Sequence, residues 1–146
     1  MSQGPSPHLS WPELGCKDGT PYPAQLRAST ALILGVQFEY IRKELGDKPI
    51  KVGSAYRTRR HNRAVKGAKN SQHIEGTALD LYLPSRPGLT MIGFLEVVLV
   101  IARGDEIIRG VGVYPWGIHI DVRPTERLFR WNGSRVAPEV TRRLYE

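Results

Sequence analysis

The chain lacks the features that define several large classes of protein. It has a single cysteine, Cys16, so it can form neither an internal disulfide nor a cysteine-rich zinc site. It has no apolar run close to the roughly 20 residues that a membrane-spanning helix needs. The richest stretch, residues 94–102, is about half that length and contains Glu96. Its first seven residues contain neither a basic nor an apolar segment, so the sequence predicts no secretory signal and no membrane insertion.

The composition that remains is typical of a globular domain. The chain has 146 residues, of which 40% are hydrophobic and 24% charged, which fits one domain with one core. Residues 1–7 are mostly Gly, Pro and Ser and predict a loose N-terminal tail, which leaves residues 8–146 as the domain. The net charge of +7 favours an anionic partner. That partner can be nucleic acid, an acidic membrane surface or an acidic wall polymer, and the charge alone does not choose among them.

The periodicity of apolar residues predicts an α+β fold. Helices are predicted over residues 23–45 and 89–103, with shorter helical pieces within residues 58–70 and 140–144. Strands are predicted over residues 50–56, 77–83, 107–114, 118–123 and 128–131. This order is typical of a mostly antiparallel sheet with helices packed on one face.

Two of the predicted strands have unusual polar faces. Because side chains alternate along a strand, Asp80 points away from the leucines on either side of it. His119 and Asp121 likewise share the face opposite their aliphatic neighbours. A solvated strand face usually carries Thr, Lys or Glu, whereas these residues are of the types that bind metals. The pattern therefore favours a site on the face of the sheet that is turned away from the core.

His73 lies in the loop just before the strand that carries Asp80. A histidine on this loop, a carboxylate on the following strand and His119 on a neighbouring strand can converge on one point. Two histidines and one carboxylate with an open fourth position form a catalytic zinc site. The spacing leaves an alternative open, in which His73 is a hydrogen-bonding loop residue and His119 is a sheet histidine with satisfied partners.

Three motifs in order resemble the zinc D-Ala-D-Ala carboxypeptidases, a group that includes phage L-alanyl-D-glutamate endopeptidases. The first motif, S-x-x-R, runs from Ser54 to Arg57. The second, S-x-H-x-x-G-x-A-x-D, runs from Ser71 to Asp80, and the third is a late H-x-D that begins at His119. With an opening segment over residues 10–19, the resemblance extends from about residue 8 to residue 123.

The resemblance implies a hedgehog-like α+β domain that holds one zinc ion per chain through His73, Asp80 and His119. It implies hydrolysis of peptidoglycan stem peptides, as a D-Ala-D-Ala carboxypeptidase or as an L-Ala-D-Glu endopeptidase. It also implies that Ser54, Arg57 and Ser71 bind substrate. Arg57 would hold a substrate carboxylate or stabilise the oxyanion, because a planar guanidinium suits either task.

The sequence departs from the family pattern at the general base. Well-known members carry an acid three residues before the last histidine, where this chain has Trp116. The nearest acid is Asp121, about 7 Å from His119 along the strand, which we therefore consider as the catalytic base. Its alternative role is to hydrogen-bond a ligand histidine or to pair with Arg123. Glu75, beside His73, is a poorer candidate.

The same resemblance implies where the protein acts. We expect a product of a phage or prophage that acts on the bacterial cell wall, as a free lysin or as part of a tail or virion. The alternative is a non-catalytic, zinc-stabilised virion or wall-binding domain, which the missing acid at Trp116 suggests. Nucleic acid is not expected as a partner. The run from Arg57 to Arg63 holds four arginines in seven positions, but Tyr56 is the only aromatic residue close by.

Overall fold

A computed structural model describes residues 3–84 and 88–146 of the chain. The strands are β1 (Lys51–Ser54), β2 (Ala78–Tyr82), β3 (Gly110–Tyr114), β4 (Gly117–Asp121) and β5 (Phe129–Asn132). The helices are α1 (Trp11–Leu14), α2 (Thr30–Glu44), α3 (Arg59–Ala64), α4 (Met91–Asp105) and α5 (Pro138–Tyr145). None of the helices in these two segments is both long and apolar enough to span a membrane.

The five strands form one sheet in the order β1-β2-β4-β3-β5. All neighbouring pairs are antiparallel except β3 and β5, which run parallel. In this register Asp80 lies directly opposite His119, and Gly112 lies opposite His119 on the other side. The α+β fold with a mostly antiparallel sheet is therefore confirmed.

The aliphatic face of the sheet packs against α2 and α4 and forms the core. Phe38 of α2 and Phe94 of α4 are almost completely buried there, together with the aliphatic residues of the three central strands. Burial of this apolar surface is the main favourable contribution to folding. Since side chains alternate along each strand, the same packing turns Asp80 and His119 to the opposite face.

The first long helix begins later than the sequence predicts. The prediction that it starts at residue 23 is wrong, because Ala24–Leu26 form a short 3₁₀ helix and α2 begins at Thr30. The backbone of Ser29 (φ −133°, ψ −89°) is not helical and separates the two elements. The last helix is longer than predicted and begins at Pro138, whose fixed φ suits a first helical turn.

Residues 3–7 of the predicted tail lie against the domain, while residues 1 and 2 fall outside the described segments. The Trp11 amide donates to the Gln3 carbonyl over 2.9 Å. Gly35 of α2 lies so close to this segment that a Cβ on it would be 3.1 Å from the Pro5 carbonyl oxygen. A domain boundary at residue 8 stays a prediction.

A buried arginine fixes the segment that joins β4 to β5. Arg109 donates to the carbonyls of Ala102 at 2.6 Å, Ile108 at 2.9 Å and Glu126 at 3.0 Å. Hydrogen bonds from a charged group are stronger than neutral ones. They tie the 122–128 segment to the end of α4, and this segment carries Arg123 to the polar face of the sheet.

Candidate metal centre

Three buried side chains converge on the polar face of the sheet. His73 Nε2 and His119 Nδ1 each lie 3.0 Å from Asp80 Oδ1. One ligand atom from each of the three residues lies within 4.8 Å of the other two. The structure thus brings together the three residues that the sequence predicts as metal ligands, which we call the metal trio.

Local structure places each member of the metal trio. Asp80 and His119 are direct neighbours on β2 and β4. His73 lies in a tight loop, where its amide donates to the Ser71 hydroxyl over 3.2 Å. The loop ends at Gly76, whose φ of +74° suits glycine. The buried Tyr22 hydroxyl donates to the Gly76 carbonyl over 2.7 Å and fixes the loop against the core.

The hydrogen bonds of the two histidines fit a bound cation. His73 Nδ1 lies 2.6 Å from the Ala55 carbonyl, and His119 Nε2 lies 2.8 Å from Asp121 Oδ2. Because both partners can only accept, we assign the protons to these nitrogens. The lone pairs of the other two ring nitrogens then face Asp80 Oδ1, and a cation held by these three atoms would relieve their repulsion. Such outer partners are typical of histidines that bind zinc.

The two carboxylates of the site are strongly acidic. Burial would raise the pKa of Asp80, but the rings of His119 and His73, which can donate hydrogen bonds to it when no cation is bound, outweigh burial and lower this pKa. Burial would likewise raise the pKa of Asp121, but hydrogen bonds from Arg123 and His119 lower it to about 2. Burial lowers the pKa of His119, but the hydrogen bonds to Asp121 and Asp80 raise it by more, so this pKa increases. Both carboxylates are therefore anionic at neutral pH.

Asp121 is completely buried behind His119 and does not line the cleft. Its Oδ1 accepts from the amide of Arg123 at 3.2 Å and from Nε of Arg123 at 2.7 Å. Its Oδ2 accepts from Arg123 Nη2 at 2.7 Å and from His119 Nε2. A Cβ on Gly110 would overlap this carboxylate, so glycine is needed beneath it. Asp121 is thus near His119, as the sequence predicts, and it contacts the outer nitrogen of the ring.

Arg57 lines the cleft beside the metal trio, with three of its nitrogens engaged. Nε donates to the Ser54 hydroxyl at 3.0 Å and Nη1 to Asn62 Oδ1 at 3.1 Å. Nη2 donates to Asp80 Oδ2 at 3.4 Å. Ser54 therefore contacts Arg57 and is not among the residues that line the cleft, whereas Ser71 is. Sequence reasoning missed Asn62, a buried residue of α3 that lies five positions after Arg57.

A cleft of about 620 Å³ opens beside the metal trio. One side of it is an aromatic wall, made of Tyr114, Trp116, Phe129 and Trp131. The rings of Tyr114 and Trp116 are stacked with centroids 5.1 Å apart, and Trp131 Nε1 donates to the Tyr114 hydroxyl over 2.8 Å. The ring of Trp131 lies 5.1 Å from that of His119. The cleft thus has an aromatic side next to His119.

Glycine spacing on β3 allows this wall to form. Gly112 lies between His119 and Trp131 in the sheet, and a Cβ on it would overlap the Trp131 indole. Sequence reasoning missed the wall, although it left a signal. Gly110 and Gly112 are two apart and leave one face of β3 without side chains at these positions. Phe129 and Trp131 are likewise two apart and put two aromatic rings on one face of β5.

Comparison with known proteins adds a family relationship. A family model described as Peptidase M15 matches residues 7–121, a span that includes the whole metal trio and ends before β5. A comparison with curated proteins gives no match.

Proposed function

The chain belongs to the Peptidase M15 family, which makes it a metallopeptidase, and on that premise we propose that it hydrolyses peptidoglycan stem peptides. The observation that supports this proposal is the buried metal trio beside an open cleft. The bond cleaved is D-Ala-D-Ala or L-Ala-D-Glu. The resemblance to small phage members supports a phage or prophage origin. The presence of the protein in purified virions would distinguish a tail or virion component from a free lysin.

Zinc fits the donor set of the trio and, when bound, acts as a Lewis acid on a peptide carbonyl and lowers the pKa of water. His73 and His119 would bind it through the ring nitrogens that face Asp80, because their other nitrogens are engaged. Asp80 would contribute an oxygen, and its Oδ2 contact with Arg57 fixes its orientation. The donors left on Arg57 are available to a substrate carboxylate or an oxyanion.

Asp121 is better placed to position His119 than to transfer protons. Its oxygens already accept four hydrogen bonds and it is completely buried, whereas a general base must reach the proton that it takes. Among the described residues that line the cleft, Asp80 is the only carboxylate. We therefore propose that Asp121 holds the proton on His119 Nε2 and keeps Nδ1 free for the metal.

Asp121→Asn is expected to weaken zinc binding roughly 10- to 100-fold, with activity restored by excess zinc. The amide can no longer hold the His119 ring as an anionic acceptor does. Competition with a chromogenic chelator measures the affinity, and kcat is then compared at saturating zinc. Glu44→Gln, an exposed change on α2, is the matched control. A kcat loss of roughly 10²- to 10⁴-fold at saturating zinc would instead identify Asp121 as the base.

The proposed function is tested on purified peptidoglycan. We expect the protein to release peptides, a chelator to stop the release, and added zinc to restore it. Mass spectrometry of the new termini identifies the bond. A protein that binds zinc stoichiometrically but releases nothing would refute the peptidase and favour a zinc-stabilised virion or wall-binding domain.

A further inference from the structure

A strained lysine follows α3 at the edge of the cleft. Lys66 has a φ of +58°, in the left-handed region that favours glycine. Its amide donates to the Arg63 carbonyl at 3.1 Å, and the Gly67 amide donates to the Asn62 carbonyl at 2.8 Å. These two bonds define a Schellman motif, in which the position of Lys66 is usually glycine. The chain therefore keeps a long cationic side chain where backbone conformation disfavours it.

The strained residue lies next to the metal centre. A Cβ on Gly67 would be 2.9 Å from Arg57 Nη1, so the backbone after Lys66 packs against the guanidinium that contacts Asp80. Lys66 itself lines the cleft. Backbone strain is often retained at functional sites, so an observed outlier in a cleft motivates a search for its role.

Among the described residues, the Lys66 side chain has no hydrogen-bond or ion-pair partner, unlike the arginines of the cleft. Arg57 donates to Asp80, and Arg123 pairs with the buried carboxylate of Asp121. Arg130 donates to the carbonyl of Leu144. The Lys66 ammonium is exposed and makes no ion pair within residues 3–84 and 88–146. This ammonium is therefore free to bind a ligand.

We propose that Lys66 binds a carboxylate of the substrate close to the bond that is cleaved, and that the strained backbone is retained for this contact. The inference rests on the proposed function and deepens it, because it makes an acidic peptide the preferred substrate. A compact ammonium on a flexible stem can reach a carboxylate from several directions. In a stem peptide that carboxylate belongs to the D-Glu residue or to the C terminus.

Lys66→Met tests the contact, because methionine keeps an unbranched stem and removes the charge. Three synthetic stem peptides are compared: the free acid, a form with amidated D-Glu, and a form with an amidated C terminus. Binding to the full, zinc-loaded chain is followed by tryptophan fluorescence, since Trp116 and Trp131 line the cleft. Wild-type protein should bind the free acid about fivefold more tightly than one of the two amidated peptides. The position that is amidated in that weaker peptide identifies the carboxylate that Lys66 contacts.

The preference should disappear in Lys66→Met and in high salt, which screens an exposed ion pair. A wild-type protein without the preference, or a Lys66→Met protein that keeps it, would overturn the proposal. The readout does not need catalysis. If wild type prefers the acid and cleaves none of the peptides, the contact stands and the peptidase proposal fails.

Arg135 offers a matched control for charge and strain. It is exposed, has a φ of +62° and does not line the cleft. Lys66→Gly and Arg135→Gly each remove one positive charge and one strained residue, so each should raise Tm by about 2 °C. Only Lys66→Gly should lose the preference for the acid. An equal loss in both variants would mean that overall charge, and not Lys66, sets the preference.

Discussion

His73→Ala is expected to abolish stoichiometric zinc binding and peptide hydrolysis together. The substitution leaves two ligands, Asp80 and His119, where a catalytic zinc site needs three. It also removes the ring whose Nδ1 bonds the Ala55 carbonyl over 2.6 Å, so the loop before β2 loses one fixed contact. Elemental analysis of the dialysed protein measures the zinc content, and circular dichroism checks that the fold is retained.

His8→Ala is the control for this experiment. His8 is a partly exposed histidine that bonds Glu39 and lies outside the metal trio. The variant should bind one zinc ion per chain, as wild type does. Undiminished zinc in His73→Ala would show that the trio is not the ligand set, whatever its effect on activity.

Arg57→Ala is expected to reduce kcat/KM by roughly 30- to 10³-fold while the protein keeps its zinc. This range corresponds to the loss of roughly 2–4 kcal/mol of transition-state stabilisation, as for removal of one oxyanion donor. The alanine removes the donors that would meet a substrate carboxylate or an oxyanion. Steady-state kinetics at saturating zinc, with metal content measured on the same samples, gives the effect on catalysis alone.

Two further variants interpret the Arg57 result. Arg57→Lys keeps the charge but not the planar fork, so it should recover only part of the activity. Arg60→Ala removes an exposed arginine of α3 and should behave like wild type. Full activity in Arg57→Ala would make Arg57 an ordinary surface residue. Loss of zinc together with activity would mean that Arg57 acts mainly by orienting Asp80, which it contacts at 3.4 Å.

The polar faces that carry two of the metal trio could be predicted from sequence, because alternation along a strand is a local signal that places Asp80 and His119. The assignment of all three residues to one site comes from the family resemblance, since spacing alone leaves the alternative of hydrogen-bonding histidines open. The register of β2 and β4 then follows from burial of the aliphatic face, since a slip of one residue would expose it.

The contacts around the trio could not be predicted in this way. The bond from Arg57 to Asn62 depends on the direction in which α3 leaves β1, and the strain at Lys66 depends on how α3 ends. Neither the bond nor the strain produces a periodic pattern of residue types in the sequence. The early start predicted for α2 has a similar cause, because an apolar pattern does not reveal the non-helical backbone of Ser29.

The bare glycine face of β3 also sets the dielectric environment of the metal centre. Neighbouring strands are about 4.8 Å apart, so β4 and β5, on either side of β3, are separated by roughly 10 Å. With no side chain on Gly112, the indole of Trp131 fills this gap and reaches the His119 ring at 5.1 Å. Water is thereby kept from one side of His119, and charges interact more strongly where water is excluded. The absence of side chains on Gly110 and Gly112 thus strengthens the electrostatic interactions among Arg123, Asp121 and His119.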